Sequence, residues 1–290
     1  MEKALKKHAP IFVLPTFLAF VIGFIIPFAQ GFYLSFCKFT TVGNATFVGI
    51  SNYTAAIKDT SFTSSFKFTV LFAIVSILLI NVLAFGLALL LTQKLKGTNI
   101  FRTIFFMPNL IGGIVLGYVW QFIFNKVAVS VISGSVSMLT NPNLALVAIL
   151  IVSTWQYAGY IMMIYVTGLQ SVPKDILEAS NVDGANTLQT LLKIKVPMIA
   201  NTFTICIFLT LVNSFKQFDL NLAITNGAPT RILSGKPVQS TEFLALNIYN
   251  TAIGKNQYAL GQTKAVIFFI ILAIVSLTQV TISKKKEVEM

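Results

Sequence analysis

Residue types that carry chemistry are sparse in this 290-residue chain, and their placement argues against catalysis. His8 is the single histidine and lies in a basic N-terminal tail, so neither a metal cluster nor a histidine triad can form. Cys37 and Cys206 lack metal or redox spacing and read as small apolar fillers. No GxxxxGK[ST] phosphate loop is present. The nearest string, Ser234-Gly235-Lys236-Pro237, lacks the upstream glycine and the hydroxyl residue, so the chain cannot bind ATP by that route. The few acids are scattered through loops or lie in SVPKDILEASNVDGANTLQTLLKIKVP, Ser171 to Pro197, which holds Asp175, Glu178 and Asp183. Pro173 suits the first turn of a helix there, and Asp175 and Glu178 sit near its positive end. Gly184 suits the left-handed geometry that ends a helix. Leu188, Leu191, Leu192 and Val196 then recur at helical spacing, and Pro197 starts the next apolar run. The segment is expected to form a helix–glycine–helix knob, its second helix parallel to a membrane.

A second set of residues has the chemistry of a solute path. Aromatic faces stack on sugar C–H surfaces, and amides or carboxylates bind hydroxyls. Three apolar runs carry such groups: Trp120, Gln121 and Asn125; Trp155, Gln156, Tyr157 and Tyr160; Asn213, Gln217, Phe218 and Asp219. Interface anchoring accounts equally well for Trp120 and Trp155. A helix–helix hydrogen bond is the alternative for Asn213, because an amide in lipid needs a partner.

These groups must be positioned by elements suited to lipid. The chain is 56% hydrophobic and 10% charged, against roughly 25% charged in soluble domains. Its net charge of +12 comes from small basic groups between long apolar runs, not from the dense basic face of a nucleic-acid binder. A bilayer core of about 30 Å needs roughly 20 apolar residues in a helix. Six runs qualify, at about 11–36, 68–91, 104–124, 144–168, 198–218 and 259–282. The expected fold is an all-α integral membrane protein with six transmembrane helices in a single domain over 1–290. The first run could be read as a signal peptide but is too long for one, and is expected to stay as a span.

Basic residues set the orientation. With the N-terminus inside, the inner segments hold Lys3, Lys6, Lys7, Lys94, Lys96, Arg102, Lys174, Lys193, Lys195, Lys284, Lys285 and Lys286. Lys38, Lys58, Lys67, Lys126, Lys216, Arg231, Lys236, Lys255 and Lys264 are counted outside, spread over longer loops. Density near the spans favours both termini inside. The outer loops are expected at about 37–67, 125–143 and 219–258, the last with a surface helix over 239–252 on Phe243, Leu244, Leu246 and Ile248. The second, third, fourth and sixth runs are read as free of Asp, Glu, Lys, Arg and His, and the fifth as holding only Lys216, with Asp219 just beyond, at its outer end. That weakens an ion-coupled carrier.

On these residues the chain resembles ATP-binding-cassette (ABC) importer permeases. Glu178, Ala179, Ser180, Gly184 and Pro197 look like the EAA loop of that family, and Asp183-Gly184-Ala185 matches its sugar-importer version. Ser180 replaces the usual alanine, and Leu191 stands where phenylalanine is common. Phe47–Tyr53, Arg102-Thr103, Phe105-Phe106-Met107-Pro108, Trp120 and Phe124-Asn125 resemble the F-type subunit of the maltose/glycerol-phosphate class. Trp155, Gly168-Leu169-Gln170, Pro173, Ser214-Phe215, Gln217-Phe218-Asp219 and Asn226-Gly227 extend the likeness over nearly the whole chain. The resemblance implies a type I importer transmembrane domain, multi-pass in a bacterial cell membrane, carrying a sugar or oligosaccharide. It implies a second homologous permease, two ATPase subunits and an extracytoplasmic solute-binding protein as partners. No cofactor is expected in this chain, since ATP and magnesium belong to the ATPases. Glu178 would face a basic group of the ATPase. A carrier or facilitator acting without ATP and an ABC permease for a polyamine or phosphonate are the rivals. A membrane enzyme finds no catalytic cluster.

Overall fold

Apolar segments in lipid must close their backbone hydrogen bonds internally, and here they do so as helices. The computed structural model describes residues 13–93, 96–131 and 136–284. His8 and Lys3, Lys6, Lys7, Lys94, Lys285 and Lys286 of the charge count lie outside the described residues. Among the described residues five helices are long and apolar enough to span, up to six if a pair bent by 71° is one span. The chain divides into two compact units, one running to Asp59 and adding Ile248–Phe269, the other comprising Thr60–Asn247 and the chain from Ile270.

The smaller unit contains α1 (Val13–Leu34), a two-residue antiparallel ladder of β1 (Cys37–Lys38) and β2 (Thr46–Phe47), and α2 (Ser51–Lys58). The N-terminal part of the last helix, which runs from Tyr258 to Lys284, completes it. No residue of α1 is buried. Its phenylalanines stack along one face, Phe20 on Phe24 at 5.2 Å and Phe24 on Phe28 at 6.1 Å. Asn52 ties the loop to the end of α1 by donating to the Ser35 and Cys37 carbonyls at 3.1 and 2.9 Å.

Lys264 corrects the sequence reading. It was counted among the outer cations, and the run over 259–282 was read as uncharged although it includes this residue; it lies within the last helix, fully buried. Its ammonium donates to Asp59 Oδ2 at 2.6 Å and to Thr251 Oγ1 at 2.8 Å. A charge with such partners is tolerated where a bare one is not.

The larger unit is built on α3 (Thr60–Leu91), α4 (Thr98–Phe106), α5 (Gly113–Ser130) and α6 (Pro142–Ser171). It continues with α7 (Lys174–Val182), α8 (Thr187–Met198), α9 (Ala200–Phe215) and α10 (Asp219–Ile224). A hairpin of β3 (Thr230–Leu233) and β4 (Lys236–Gln239) precedes α11 (Leu244–Tyr249). The final helix, Tyr258–Lys284, is α12.

Four boundaries differ from expectation. The third run is interrupted: α4 ends at Phe106, a 3₁₀ turn Met107–Leu110 follows, and the span proper starts at Gly113. Pro108 cannot continue the ladder, which accounts for the break. The first outer loop ends at Asp59, because α3 begins at Thr60 and carries Lys67 on its exposed side. Asn125 belongs to the helical end of α5, not to a loop. The stretch over 239–252 is no surface helix: Phe243, Leu244 and Leu246 are fully buried, so this loop folds back into protein.

α3 buries a stripe of small residues, Ala73, Ser76, Ala84 and Ala88, at helical spacing. Small residues let helices approach closely where the hydrophobic effect cannot drive packing. One core joins Ile80 and Ala84 of α3 to Ile161, Met162 and Tyr165 of α6 and Cys206 of α9. A hydrogen-bond chain runs through it. Tyr165 donates to Asn81 Oδ1 at 2.8 Å, Asn81 Nδ2 donates to Thr210 Oγ1 at 2.9 Å, and Thr210 donates to the Cys206 carbonyl.

The Lys264–Asp59 pair yields a prediction. Lys264→Met leaves Asp59, whose side chain is 26% exposed, without its cation, at a cost below the about 3–5 kcal/mol of breaking a fully buried pair. Thermal unfolding of the purified chain should show a marked loss in Lys264→Met and a substantial recovery in the Asp59→Asn/Lys264→Met double variant. Equal loss in both would mean the ion pair is not the reason.

Candidate functional site

Two places in the larger unit carry the expected chemistry, and α6 runs between them. Its 30 residues start with Asn141 as N-cap, whose side chain accepts from the Asn143 and Leu144 amides. It ends where Val172 and Pro173 adopt extended geometry.

The knob forms beyond that end. α7 starts at Lys174 with Pro173 as its N-cap, one position earlier than the helical turn expected for it. The inner face of α7 is set by Ser180, 5% exposed, whose hydroxyl donates to the Leu177 carbonyl at 2.8 Å. That contact explains how serine fits where alanine is usual: its hydroxyl is satisfied within its own helix. Glu178, Ala179 and Asp183 lie on the exposed side. Gly184 has φ +77°, which only glycine adopts without strain, and it turns the chain. Asn186 caps α8 in a reciprocal box with Gln189, each bond 2.9 Å. Ala185 is half-buried at the corner, and Pro197 sits in the last turn of α8. The next span therefore begins after a 71° bend rather than at Pro197 itself.

The knob also exposes apolar groups in a segment that carries both charge signs. Val182 is 87% exposed, Leu188 62% and Leu192 57%. The leucine stripe read from the sequence thus splits, with only Leu191 and Val196 turned inward. On α7, Asp175, Glu178 and Val182 stand at spacings of three and four and share one exposed face.

The second place is a polar cavity of about 250 Å³ lined by Tyr157, Asn213, Gln217, Phe218 and Asp219, together with Gln156, Lys216 and Gly113. Six of the solute-path candidates meet here, Gln156 among them. They meet because α9 stops at Phe215 and the chain re-enters a helix only at Asp219, which opens the wall. Tight packing holds the short α10 in place. Gly113 and Gly117 of α5 face it one turn apart: a Cβ on Gly113 would lie 2.9 Å from the Asp219 Cβ, and one on Gly117 would strike Ala223. Gln121, one turn further, donates to the Ile224 carbonyl at 3.0 Å and closes the end of α10. Gln121 is therefore a helix clasp rather than a lining group. Gln156 donates to the Ile111 carbonyl at 3.2 Å, at the break before α5.

The other candidates fall elsewhere. Trp120 and Trp155 pack edge to face at 5.6 Å, and Trp155 lines a separate apolar cavity. Tyr160 packs against the α3–α6 core. Asn125 accepts from the Ser137 hydroxyl. Lys216 was seen only as an end-of-span charge, and Gly113 was not singled out; the spacing Gly113-x-x-x-Gly117 was the available signal.

The clasp is testable. Gly117→Val should force α5 and α10 apart, at roughly 1–3 kcal/mol of overpacking, and lower both thermal stability and transport. Gly86→Ala, with nothing within 4 Å of the added carbon, serves as control and should leave both unchanged. Wild-type behaviour in Gly117→Val would show that the close approach is not needed.

Residues 94–286 match the family described as binding-protein-dependent transport system inner membrane component. AmyD of Thermoanaerobacterium thermosulfurigenes, a probable starch degradation products transport system permease protein, is 41% identical over 97% of this chain and 95% of its own. The multiple sugar-binding transport system permease protein MsmF of Streptococcus mutans is 32% identical over 99% of both chains. Among solved structures, a bacterial ABC transporter involved in import of the acidic polysaccharide alginate superposes with a TM-score of 0.82 over 98% of both chains, at 17% identity.

Proposed function

The chain belongs to the binding-protein-dependent transport system inner membrane components, and we propose that within such a system it forms half of an ATP-driven path for a sugar or oligosaccharide. The names of its relatives AmyD and MsmF support the solute class. So does the cavity at Asn213 and Asp219, whose amides, carboxylate and aromatic rings suit hydroxyl-bearing solutes. A second, related permease would supply the facing wall, and a solute-binding protein would deliver from outside.

The observation that carries the reading is the knob with its exposed Glu178 and Val182. In this reading both termini are cytoplasmic, and the knob seats in a cleft of a separate ATPase subunit. Val182 fills an apolar pocket there, while Glu178 and Asp175 meet basic groups. Exposed apolar side chains between charged ones are the usual mark of such a contact. ATP and magnesium act on that partner. When the ATPase pair closes, the knob moves with it. α6 carries the displacement from Ser171 to Tyr157, about 20 Å away along a helix rising about 1.5 Å per residue. The path then opens outward, accepts solute and resets after hydrolysis.

Proteoliposomes holding the full complex test this. Uptake should require both ATP and the binding protein; uptake by this chain alone without ATP would favour a carrier instead. Glu178→Ala or Gly184→Pro should leave the complex in the membrane but uncouple ATP hydrolysis from uptake, since proline cannot adopt the φ of position 184. Normal uptake in both variants would refute the docking assignment.

Val182→Asp should act differently. It should weaken recovery of the ATPase with the permease by about tenfold, the equivalent of one buried valine. An unaltered yield of ATPase would remove Val182 from the contact.

A further inference from the structure

The two limbs of the knob enclose a cavity of about 400 Å³ that neither the docking reading nor the solute path uses. Asn181, Asn186, Thr187, Thr190 and Lys195 line it, with two apolar residues, and no carboxylate is among the lining groups. Thr190 is the telling residue. It is 9% exposed, and its hydroxyl has no hydrogen-bond partner. A buried hydroxyl left alone is costly, so one facing a polar cavity calls for a partner there. Asn186 has its side-chain oxygen engaged by the Gln189 amide, which leaves its NH₂ to donate. The hydroxyls of Thr187 and Thr190 and the amide of Asn181 can donate as well. Lys195 adds a positive charge to this set.

A pocket rich in donors, holding a cation and no acid, complements an oxyanion. We propose that the knob cavity binds a phosphate group, with Lys195 as counter-charge and Thr190 as a buried donor. The volume holds one phosphate and several waters, each water occupying about 30 Å³. The same chemistry is offered by free inorganic phosphate and by the headgroup of an anionic phospholipid. The proposal rests on this cavity and does not require that the knob dock an ATPase.

The test uses the full chain in nanodiscs, with inorganic phosphate as the soluble probe and phosphatidylglycerol as the lipid probe. In discs of phosphatidylcholine alone, millimolar phosphate should raise the unfolding temperature above a chloride control of equal ionic strength and broaden the ³¹P resonance. If phosphate is silent there but phosphatidylglycerol stabilises the chain, the headgroup is the source; either result supports the site. In both cases Lys195→Gln should weaken the response by about tenfold, as expected for loss of one charge-assisted hydrogen bond. Thr190→Val should weaken it by a smaller factor, and Asn181→Ala provides a third variant on a more exposed residue should Thr190→Val fail to fold. No response to either probe, or a response unchanged in Lys195→Gln and in Asn181→Ala, overturns the proposal.

Discussion

Polar groups inside a bilayer have no water to fall back on, so each must find its partner within the protein. In the larger unit that requirement converges on α6. Its most apolar window is 61% buried, against 28% for α3 and 17% for α5. The hydrogen-bond chain through Tyr165, Asn81 and Thr210 fixes α6 against α3 and α9. Gln156, one face away, secures the break before α5. Gly159 lets the Phe105 carbonyl come so close that a Cβ there would collide with it, and Gly168 does the same for Thr202. One helix is thus pinned along its length by amides, a phenol and two glycines. These contacts hold α6 straight from the cavity at Tyr157 to the start of the knob beyond Ser171.

Much of this was legible in the sequence because lipid imposes simple rules. Run length and charge gave the spans, and Gly184 gave the corner, since no other residue takes φ +77° without strain. The grouping of Tyr157, Asn213, Gln217, Phe218 and Asp219 was legible only as a set of polar positions. What gathers them is the interruption of α9 over residues 216–218, and hydropathy does not register a gap that short.

The misses have a common cause. Lys264, the segment Phe243–Leu246 and Gln121 are all settled by partners distant in sequence. Lys264 finds Asp59, 205 residues away, and Gln121 finds Ile224, 103 residues away. Lys264 was counted outside although its own apolar run contains it, and local pattern reads Phe243–Leu246 as a surface amphipath because burial by a remote element leaves no periodic trace. Trp120 and Trp155 illustrate the converse: their chemistry suits a sugar, but their neighbours are each other.

The long separation of Asp59 and Lys264 also has a meaning in time. A chain made from its N-terminus presents Asp59 early and α12 last, so for most of synthesis the carboxylate waits without its ammonium. When α12 arrives, its charge can leave water cheaply only if the earlier segment is already in place with Asp59 turned toward it. The pair therefore makes burial of the ammonium in α12 depend on a carboxylate that the chain supplies 205 residues earlier.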